Sequence, residues 1–181
     1  YEAIQHKKFT MVYQPQYNSQ EELTSFEALV RWHDPIKGFI SPDEFIPLAE
    51  RAGLIIPLGY LLFELVLKEL SSLQLAVGKK VKVAFNLSLK QFFDKNLSNQ
   101  LISLCKVYNV DPCYIKLEIT ESVAASNIND VIQIISRLRL LGMEIELDDY
   151  GTGFSSLKYL KDFQINCIKI DQSFIKDLFL Y

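Results

Sequence analysis

Five residues with oxygen or ammonium groups lie in short apolar segments of the chain or directly after them. They are Glu27, Asn86, Glu118, Asp148 and Lys169. The segments are typical of β-strands, and the carboxyl ends of parallel strands meet at one rim of a sheet. Carboxylates that converge repel one another unless a cation lies among them, and carboxylate and amide oxygens are suitable ligands for Mg²⁺ and Mn²⁺. The pattern therefore indicates a metal site at this rim.

Each of these residues also has a simpler interpretation when it is taken alone. A carboxylate or an amide after a strand often caps a helix or closes a turn. Asp149, which is followed by Gly151, fits a turn in the same way. Lys169 fits a structural ion pair among buried carboxylates. The recurrence of the same chemistry on successive strands favours the metal site over these separate explanations.

The composition is that of an ordinary globular domain. The 181 residues are 49% hydrophobic and 23% charged, and we assign residues 1–181 to one domain. The net charge of −3 argues against a general nucleic-acid binder, which usually carries a basic face. Cys105, Cys113 and Cys167 are odd in number and lack metal-ligand spacing, so we expect reduced, buried thiols in a cytosolic protein.

Strands and helices alternate along the chain after an opening hairpin. We predict strands over residues 11–17, 23–32, 81–87, 114–120, 143–149 and 167–171, and helices over 41–53, 58–75, 96–108, 129–141, 155–160 and from 173 onward. Residues 54–67 are the most apolar stretch but are too short for a bilayer span, which needs ~20 apolar residues. The alternation predicts a largely parallel sheet. Within each predicted strand one face is apolar and the other polar, as in an α/β barrel with outer helices and a polar upper interior.

A series of motifs in this chain resembles the EAL domain, the cyclic di-GMP phosphodiesterase family. Glu27-Ala28-Leu29 is the motif that names the family, and it is uninformative when it occurs alone. The matching segments, which follow the family order over essentially the whole chain, are Tyr13–Gln16, Phe26–Trp32, Ser41–Glu50, Asn86–Ser88, Leu117–Ser122, Asp148–Leu157 and Lys169–Asp171. Such an ordered series is highly specific.

The resemblance implies a TIM-like (β/α)8 barrel whose first strand is antiparallel to the others. The last two strands are absent from this chain, and both ends look truncated. A barrel of this type typically needs ~250 residues, so we expect the 181 residues alone to be insoluble, swapped or inactive. Glu146, on the polar face below Asp148, stands where the family more often has a small residue, and its role is open.

The resemblance also implies an activity and a role for each matching residue. The activity is hydrolysis of cyclic di-GMP to linear pGpG with Mg²⁺ or Mn²⁺ in a two-metal site. The implied metal ligands are Glu27, Asn86, Glu118, Asp148 and Asp149, the last with Asp148 at the second metal. Lys169 and Asp149 are the implied catalytic residues, and Lys169 places or polarises the attacking water. Gln14, Leu29 and Arg31 are implied to contact the dinucleotide, although Arg31 could instead pair with Asp34, and Glu121 is implied to support the 149–155 loop.

The resemblance further implies a cytoplasmic bacterial signalling domain, either on its own or as the cytoplasmic part of a larger, membrane-anchored protein. Its implied partners are cyclic di-GMP, a second copy bound near the 149–155 loop, and fused sensory or diguanylate cyclase domains. Contact of this domain with DNA or a membrane is not expected. One alternative is a catalytically inactive receptor that binds cyclic di-GMP without cleaving it. Another is an unrelated metal-dependent barrel enzyme, which would make the ordered motifs accidental.

Overall fold

An antiparallel hairpin opens a sheet whose later strands are parallel. The computed structural model describes residues 1–6, 8–124, 126–151 and 163–176. The strands are β1 (Phe9–Tyr17), β2 (Leu23–Asp34), β3 (Gly38–Ile40), β4 (Lys82–Leu87), β5 (Ile115–Thr120), β6 (Glu144–Tyr150) and β7 (Cys167–Ile170). Strands β1 and β3 pair antiparallel with β2, and β2, β4, β5, β6 and β7 follow one another in parallel. This topology confirms the predicted α/β fold with an antiparallel first strand.

Helices follow most of the strands. They are α1 (Glu2–Gln5), α2 (Pro42–Arg51), α3 (Ile55–Val77), α4 (Leu89–Phe92), α5 (Leu97–Val107), α6 (Glu121–Ala124), α7 (Ile128–Leu140) and α8 (Gln172–Lys176). Helix α2 begins as the sequence predicts, because the Ser41 side chain accepts a hydrogen bond from the Asp43 N–H and Pro42 occupies the first turn. Helix α3 ends at Val77 and is followed by Gly78, whose φ of 74° provides the left-handed cap.

The apolar core lies between the helices and one face of the sheet. Val83 of β4, Leu117 of β5 and Ile145 of β6 are fully buried, as are Phe63 and Val66 of α3. Burying one such side chain contributes roughly 1.5–3 kcal/mol. Since neighbouring strand residues point to opposite faces, this packing directs the alternate, polar residues of the same strands to the other face.

Several details differ from the sequence predictions. Strand β3 and helices α4 and α6 are not predicted from the sequence, because elements of three or four residues carry too little periodicity to be detected. Cys113 and Cys167 are exposed, so the prediction of buried thiols is wrong for both, and it is right for Cys105. Cys113 lies in a short 3-10 turn and Cys167 begins the edge strand β7.

The extent of the described fold bears on two predictions, the helix over residues 155–160 and the barrel. The helix predicted over residues 155–160 lies outside the described residues. Within the described ranges, the sheet runs in order from β1 to β7 and these two strands do not pair with each other. No helix in this part of the chain is both long enough and apolar enough to cross a bilayer.

Candidate metal centre

Three carboxylates from three strands converge on the polar face of the sheet. One oxygen each of Glu27, Glu118 and Asp148 lies within 4.8 Å of the other two, and we call these residues the carboxylate trio. Two ionised carboxylates at such a separation repel by roughly 3 kcal/mol at an effective dielectric constant of ~20. The trio therefore requires a cation if all three groups are to remain charged.

Strand register explains why these residues meet. In the parallel ladder, Asn86 of β4 is the partner of Glu118 on β5, and Thr120 of β5 is the partner of Asp148 on β6. In the opening hairpin, Gln14 of β1 lies directly opposite Glu27 of β2. The polar residues therefore reach the same rim from neighbouring strands.

The ammonium group of Lys169 lies among the carboxylate trio. Its Nζ is 2.9 Å from Glu27 Oε2, 2.9 Å from Glu118 Oε1 and 2.9 Å from Asp148 Oδ2. Burial acts to lower the pKa of Lys169, but attraction to Glu118 and hydrogen bonding to the trio outweigh it and raise the pKa above its ordinary value. Lys169 thus supplies one positive charge at the position where the sequence indicates a metal.

Glu118 is the most buried member of the trio, with 1% of its surface exposed. Burial raises the pKa of its carboxyl group to about 8, attraction to Lys169 opposes this rise, and repulsion by Glu27 and Asp148 adds to it. Among the described residues, none donates a hydrogen bond to Glu118 Oε2. A buried carboxylate oxygen that accepts no hydrogen bond has the character of a metal ligand.

Asn86 contacts the carboxylate trio, whereas Asp149 lies outside it. Asn86 donates a hydrogen bond from Nδ2 to Glu27 Oε1 at 3.0 Å, so all four residues predicted as ligands of the first metal share one rim. Asp149 is exposed, lies outside the trio and has a left-handed backbone with φ 55°. Its pKa is raised by burial and by the neighbouring carboxylates of Asp148 and Asp171. Its role at a second metal stays a prediction.

A cavity of about 600 Å³ opens next to this rim. Leu29, Arg31, Asn86 and Asp149 are among the residues that line it. Its volume lies in the range of ~300–1,000 Å³ that is usual for small-molecule sites. The cavity thus gathers two of the three residues predicted to contact the dinucleotide, whereas Gln14 is exposed on β1 beside Glu27.

Arg31 does not form the alternative ion pair with Asp34. Its Nη1 donates to the carbonyl oxygen of Val30 at 2.9 Å, and Asp34 Oδ1 accepts hydrogen bonds from the backbone N–H groups of Ile36 and Lys37. The guanidinium group is therefore not held by Asp34, and Arg31 is one of the residues that line the cavity.

Glu121 connects the end of β5 to the segment after β6. Its Oε2 accepts a hydrogen bond from the N–H of Gly151 at 3.2 Å. Gly151 has φ 102°, and a β-carbon there would lie 2.4 Å from the Phe174 ring of α8, so glycine suits both the backbone and the packing. This contact is compatible with the predicted support of the 149–155 loop, of which residues 152–155 lie outside the described residues.

Lys116 and Glu146 have no role predicted from the sequence. They form a buried ion pair on the polar face, with 2.8 Å between Lys116 Nζ and Glu146 Oε1. Glu146 lies two residues before Asp148 on the same strand, and this spacing alone predicts that the two side chains share a face. Its partner follows only from the pairing of β5 with β6, which the sequence does not specify.

Comparison with known proteins identifies relatives over nearly the whole chain. A family model described as the EAL domain matches residues 1–179. Cyclic di-GMP phosphodiesterase PdeR of Escherichia coli K12 is 36% identical over 176 residues, which is 97% of this chain and 26% of that protein. Cyclic di-GMP phosphodiesterase PA2567 of Pseudomonas aeruginosa is 39% identical over 171 residues, 94% of this chain and 29% of that protein. The chain thus spans about a quarter of the length of the curated relatives it matches.

Solved structures show the same fold. A complex of the PaMucR phosphodiesterase with cyclic di-GMP matches 98% of this chain and 72% of its own with a TM-score of 0.91 at 34% identity. The EAL enzyme Bd1971, in a form with cAMP and cyclic di-GMP bound, matches 99% of this chain and 50% of its own with a TM-score of 0.90 at 34% identity.

Proposed function

The chain belongs to the EAL family, and we propose that it forms the catalytic core of a metal-dependent phosphodiesterase that hydrolyses cyclic di-GMP to linear pGpG. The observation that carries the proposal is the convergence of Glu27, Glu118 and Asp148 within 4.8 Å beside a cavity of about 600 Å³. The names of the relatives PdeR and PA2567 and the ligand of the PaMucR complex support the choice of substrate.

The donor atoms of the rim suit a hard divalent cation. Glu27, Glu118 and Asp148, together with the amide oxygen of Asn86, would hold one Mg²⁺ or Mn²⁺ ion, because these ions prefer oxygen ligands. Asp148 and Asp149 would contribute to a second ion. Bound ions of this kind supply an activated water and stabilise the departing 3′ oxygen.

The protein side chains would position the substrate and the water. Arg31 lines the cavity, and its guanidinium group can bind a phosphate through two parallel hydrogen bonds. Leu29 would pack against the dinucleotide, and Gln14, opposite Glu27 on β1, would hydrogen-bond to it. Lys169 would remain a cation next to the reacting phosphate and orient the attacking water with its N–H groups.

The net reaction is a displacement at phosphorus. The water oxygen forms a new bond to phosphorus and gives up one proton, the bond from phosphorus to the 3′ oxygen breaks, and the 3′ oxygen takes up a proton. Only one of the two phosphodiester bonds is cut, which yields linear pGpG. Precise placement of the water and the phosphate is the main contribution that side chains make to this type of step.

We also propose a setting for the domain. It would act in the cytoplasm, as a homodimer through the region around residues 149–155, and next to sensory or cyclase domains. The size of the relatives supports the last point, because the matched region is 26% of PdeR and 29% of PA2567.

The proposal is tested with the full-length protein that contains this domain, by following the conversion of cyclic di-GMP to pGpG by chromatography, with Mg²⁺ or Mn²⁺ and with EDTA. We expect turnover that depends on the metal and that Glu27→Gln reduces at least ~100-fold, because the substitution removes a negative charge and replaces a carboxylate ligand by a weaker, neutral amide. Glu144→Gln is the matched control. Glu144 is the first residue of β6, at the opposite end of that strand from Asp148, and it pairs with Lys82. Loss of its charge should leave turnover within about twofold.

Two outcomes would overturn the proposal. Glu27→Gln turnover equal to that of the unchanged protein would exclude the carboxylate trio from catalysis. Tight binding of cyclic di-GMP without any turnover, under conditions in which the metal is bound, would instead identify the domain as a receptor.

A further inference from the structure

A buried ion pair lies on the same face of the sheet as the carboxylate trio. Lys116 Nζ is 2.8 Å from Glu146 Oε1, and only 14% and 4% of the two side chains are exposed. Lys116 also donates to Ser25 Oγ at 3.0 Å, and Ser25 Oγ donates to Gln16 Oε1 at 2.6 Å. Lys116 therefore has one anionic partner and one hydroxyl partner, and the network continues to β1.

The pair lies one layer below the trio. Lys116 precedes Glu118 by two residues on β5, and Glu146 precedes Asp148 by two residues on β6, so all four side chains share one face. Two residues of a strand span roughly 7 Å, which the long side chain of a lysine can bridge. Glu146 is also the register partner of Glu118 in the parallel ladder.

This arrangement leaves two cations close to the trio, and only one of them bonds to it. Lys169 contacts all three carboxylates, whereas Lys116 is held by Glu146. Without the Glu146 charge, the Lys116 ammonium would be a buried cation that lacks a counter-ion, and the nearest carboxylate on its own strand would be Glu118. A buried charge that loses its partner seeks another, and a second ammonium near the trio would oppose the binding of a divalent cation.

We propose that Glu146 is a positioning residue for the metal centre: it holds Lys116 in the lower layer and so preserves the negative charge of the carboxylate trio for the metal. The inference rests on the proposed function, because it requires that the trio bind a divalent cation. A purely structural role for the pair makes a different prediction, since breaking the pair from either side would then weaken the site in the same direction.

The experiment measures Mn²⁺ affinity directly, from the electron paramagnetic resonance signal of free Mn²⁺ during a titration. Glu146→Gln keeps the shape of the side chain and removes its charge, and we expect it to weaken Mn²⁺ binding by roughly tenfold or more, because it leaves an extra positive charge near the site. Lys116→Gln breaks the same ion pair but leaves a negative charge, so we expect Mn²⁺ binding to be no weaker than in the unchanged protein. The double variant Lys116→Gln/Glu146→Gln should restore the affinity to within about threefold, because it removes a neutral pair.

The outcomes are distinguishable. If the unchanged protein does not bind Mn²⁺, the proposed metal site itself is wrong. If it binds Mn²⁺ and Glu146→Gln binds equally well, or if Lys116→Gln weakens binding as much as Glu146→Gln does, only the positioning role is overturned. Circular dichroism of each variant verifies folding, and if Glu146→Gln does not fold, the direction of the change in Lys116→Gln and the affinity of the double variant decide the question.

Discussion

Lys169 and the carboxylate trio form a group of one ammonium and three carboxyl groups with little solvent around them. The side chains of Lys169, Glu27, Glu118 and Asp148 are 25%, 17%, 0% and 21% exposed. Charges in such surroundings depend on one another, because removing one partner of a buried ion pair typically costs about 3–5 kcal/mol. At the residue scale, the stability of the metal-free protein therefore depends on Lys169 as an internal counter-ion for the trio.

This dependence predicts the behaviour of Lys169→Met. In EDTA, we expect the variant to lose roughly 3 kcal/mol of unfolding free energy, because three carboxylates then converge without a cation. Mn²⁺ should raise its unfolding temperature more than it raises that of the unchanged protein, since the ion replaces the missing charge. Thermal unfolding followed by circular dichroism, with EDTA and with Mn²⁺, provides the comparison.

Lys82→Met is the control for this measurement. Lys82 pairs with Glu144, but the two side chains are 36% and 29% exposed, and pairs as exposed as this contribute about 1 kcal/mol or less. Equal losses for Lys82→Met and Lys169→Met in EDTA would argue against Lys169 as the counter-ion of the trio.

At the scale of elements, a glutamine side chain fixes the short helix that follows Asn86. The Ser88 N–H donates to Gln91 Oε1 at 2.8 Å, Gln91 N–H donates to Ser88 Oγ at 3.4 Å, and Gln91 Nε2 donates to the Ile55 carbonyl at 3.0 Å. The first two bonds form the capping box of α4. The third ties α4 to the first turn of α3, so the end of β4 is held in place.

Gly59 provides the space for this glutamine. A β-carbon at position 59 would lie 1.7 Å from Gln91 Nε2. Although alanine favours a helix over glycine by about 1 kcal/mol, we expect Gly59→Ala to destabilise the protein by about 1–3 kcal/mol, because the buried bonds of Gln91 are lost. Urea unfolding measures the change. In a Gln91→Ala background the same substitution should be neutral or stabilising, and an unchanged cost there would show that Gln91 is not the cause.

Helix α5 carries the one cysteine that the sequence analysis placed correctly. Cys105 is 1% exposed, and burial raises the pKa of its thiol to about 11. Thiol labelling with Ellman's reagent at pH 8 should therefore modify the exposed Cys113 and Cys167 quickly and Cys105 only when the protein unfolds. The raised pKa also makes the stability of the protein depend on pH, because the folded protein holds the thiol proton of Cys105 more tightly than the unfolded chain does. This contribution to stability is complete below about pH 9 and is lost as the pH rises through about 11. Rapid reaction of three thiols in the native protein would contradict this assignment.

The sequence predicted the elements better than their contacts. Strong alternation of apolar and polar residues located β4, β5 and β6, and the capping box at Ser41 located the start of α2. The position of Lys169 within the trio, and the pairing of Lys116 with Glu146, depend on strand register, which a single strand does not encode. The prediction that Cys113 and Cys167 are buried failed because cysteine is buried on average, whereas these two residues lie at a turn and at a sheet edge.

At the scale of the whole molecule, the described sheet has a well-packed centre and a less protected edge. Ile115, Leu117 and Ile119 of β5 are fully buried, whereas Ile168 and Ile170 of β7 are 41% and 63% exposed. Local opening costs least free energy where few apolar groups are buried. The rim that carries the carboxylate trio and Lys169 is therefore built from strands of unequal protection, since Lys169 lies on β7 and Glu118 on β5.

Hydrogen exchange measures this inequality. Among the parallel strands of the described sheet, we expect the amides of β4 and β5 to exchange most slowly and those of β7 to exchange fastest. Mn²⁺ that binds Asp148 on β6 and displaces Lys169 on β7 should order that edge of the sheet and therefore slow amide exchange in β7. Protection of β7 equal to that of β5 in EDTA would contradict the unequal packing.

The most direct test of the metal centre is a crystal structure of the protein with Mn²⁺, with anomalous diffraction to locate the ion. We predict an anomalous peak about 2.0–2.6 Å from carboxylate oxygens of Glu27, Glu118 and Asp148, with the Lys169 ammonium moved away from its three 2.9 Å contacts. An Mn²⁺-saturated crystal in which Lys169 still bridges the trio, and in which the peak is absent or lies elsewhere, would contradict the account.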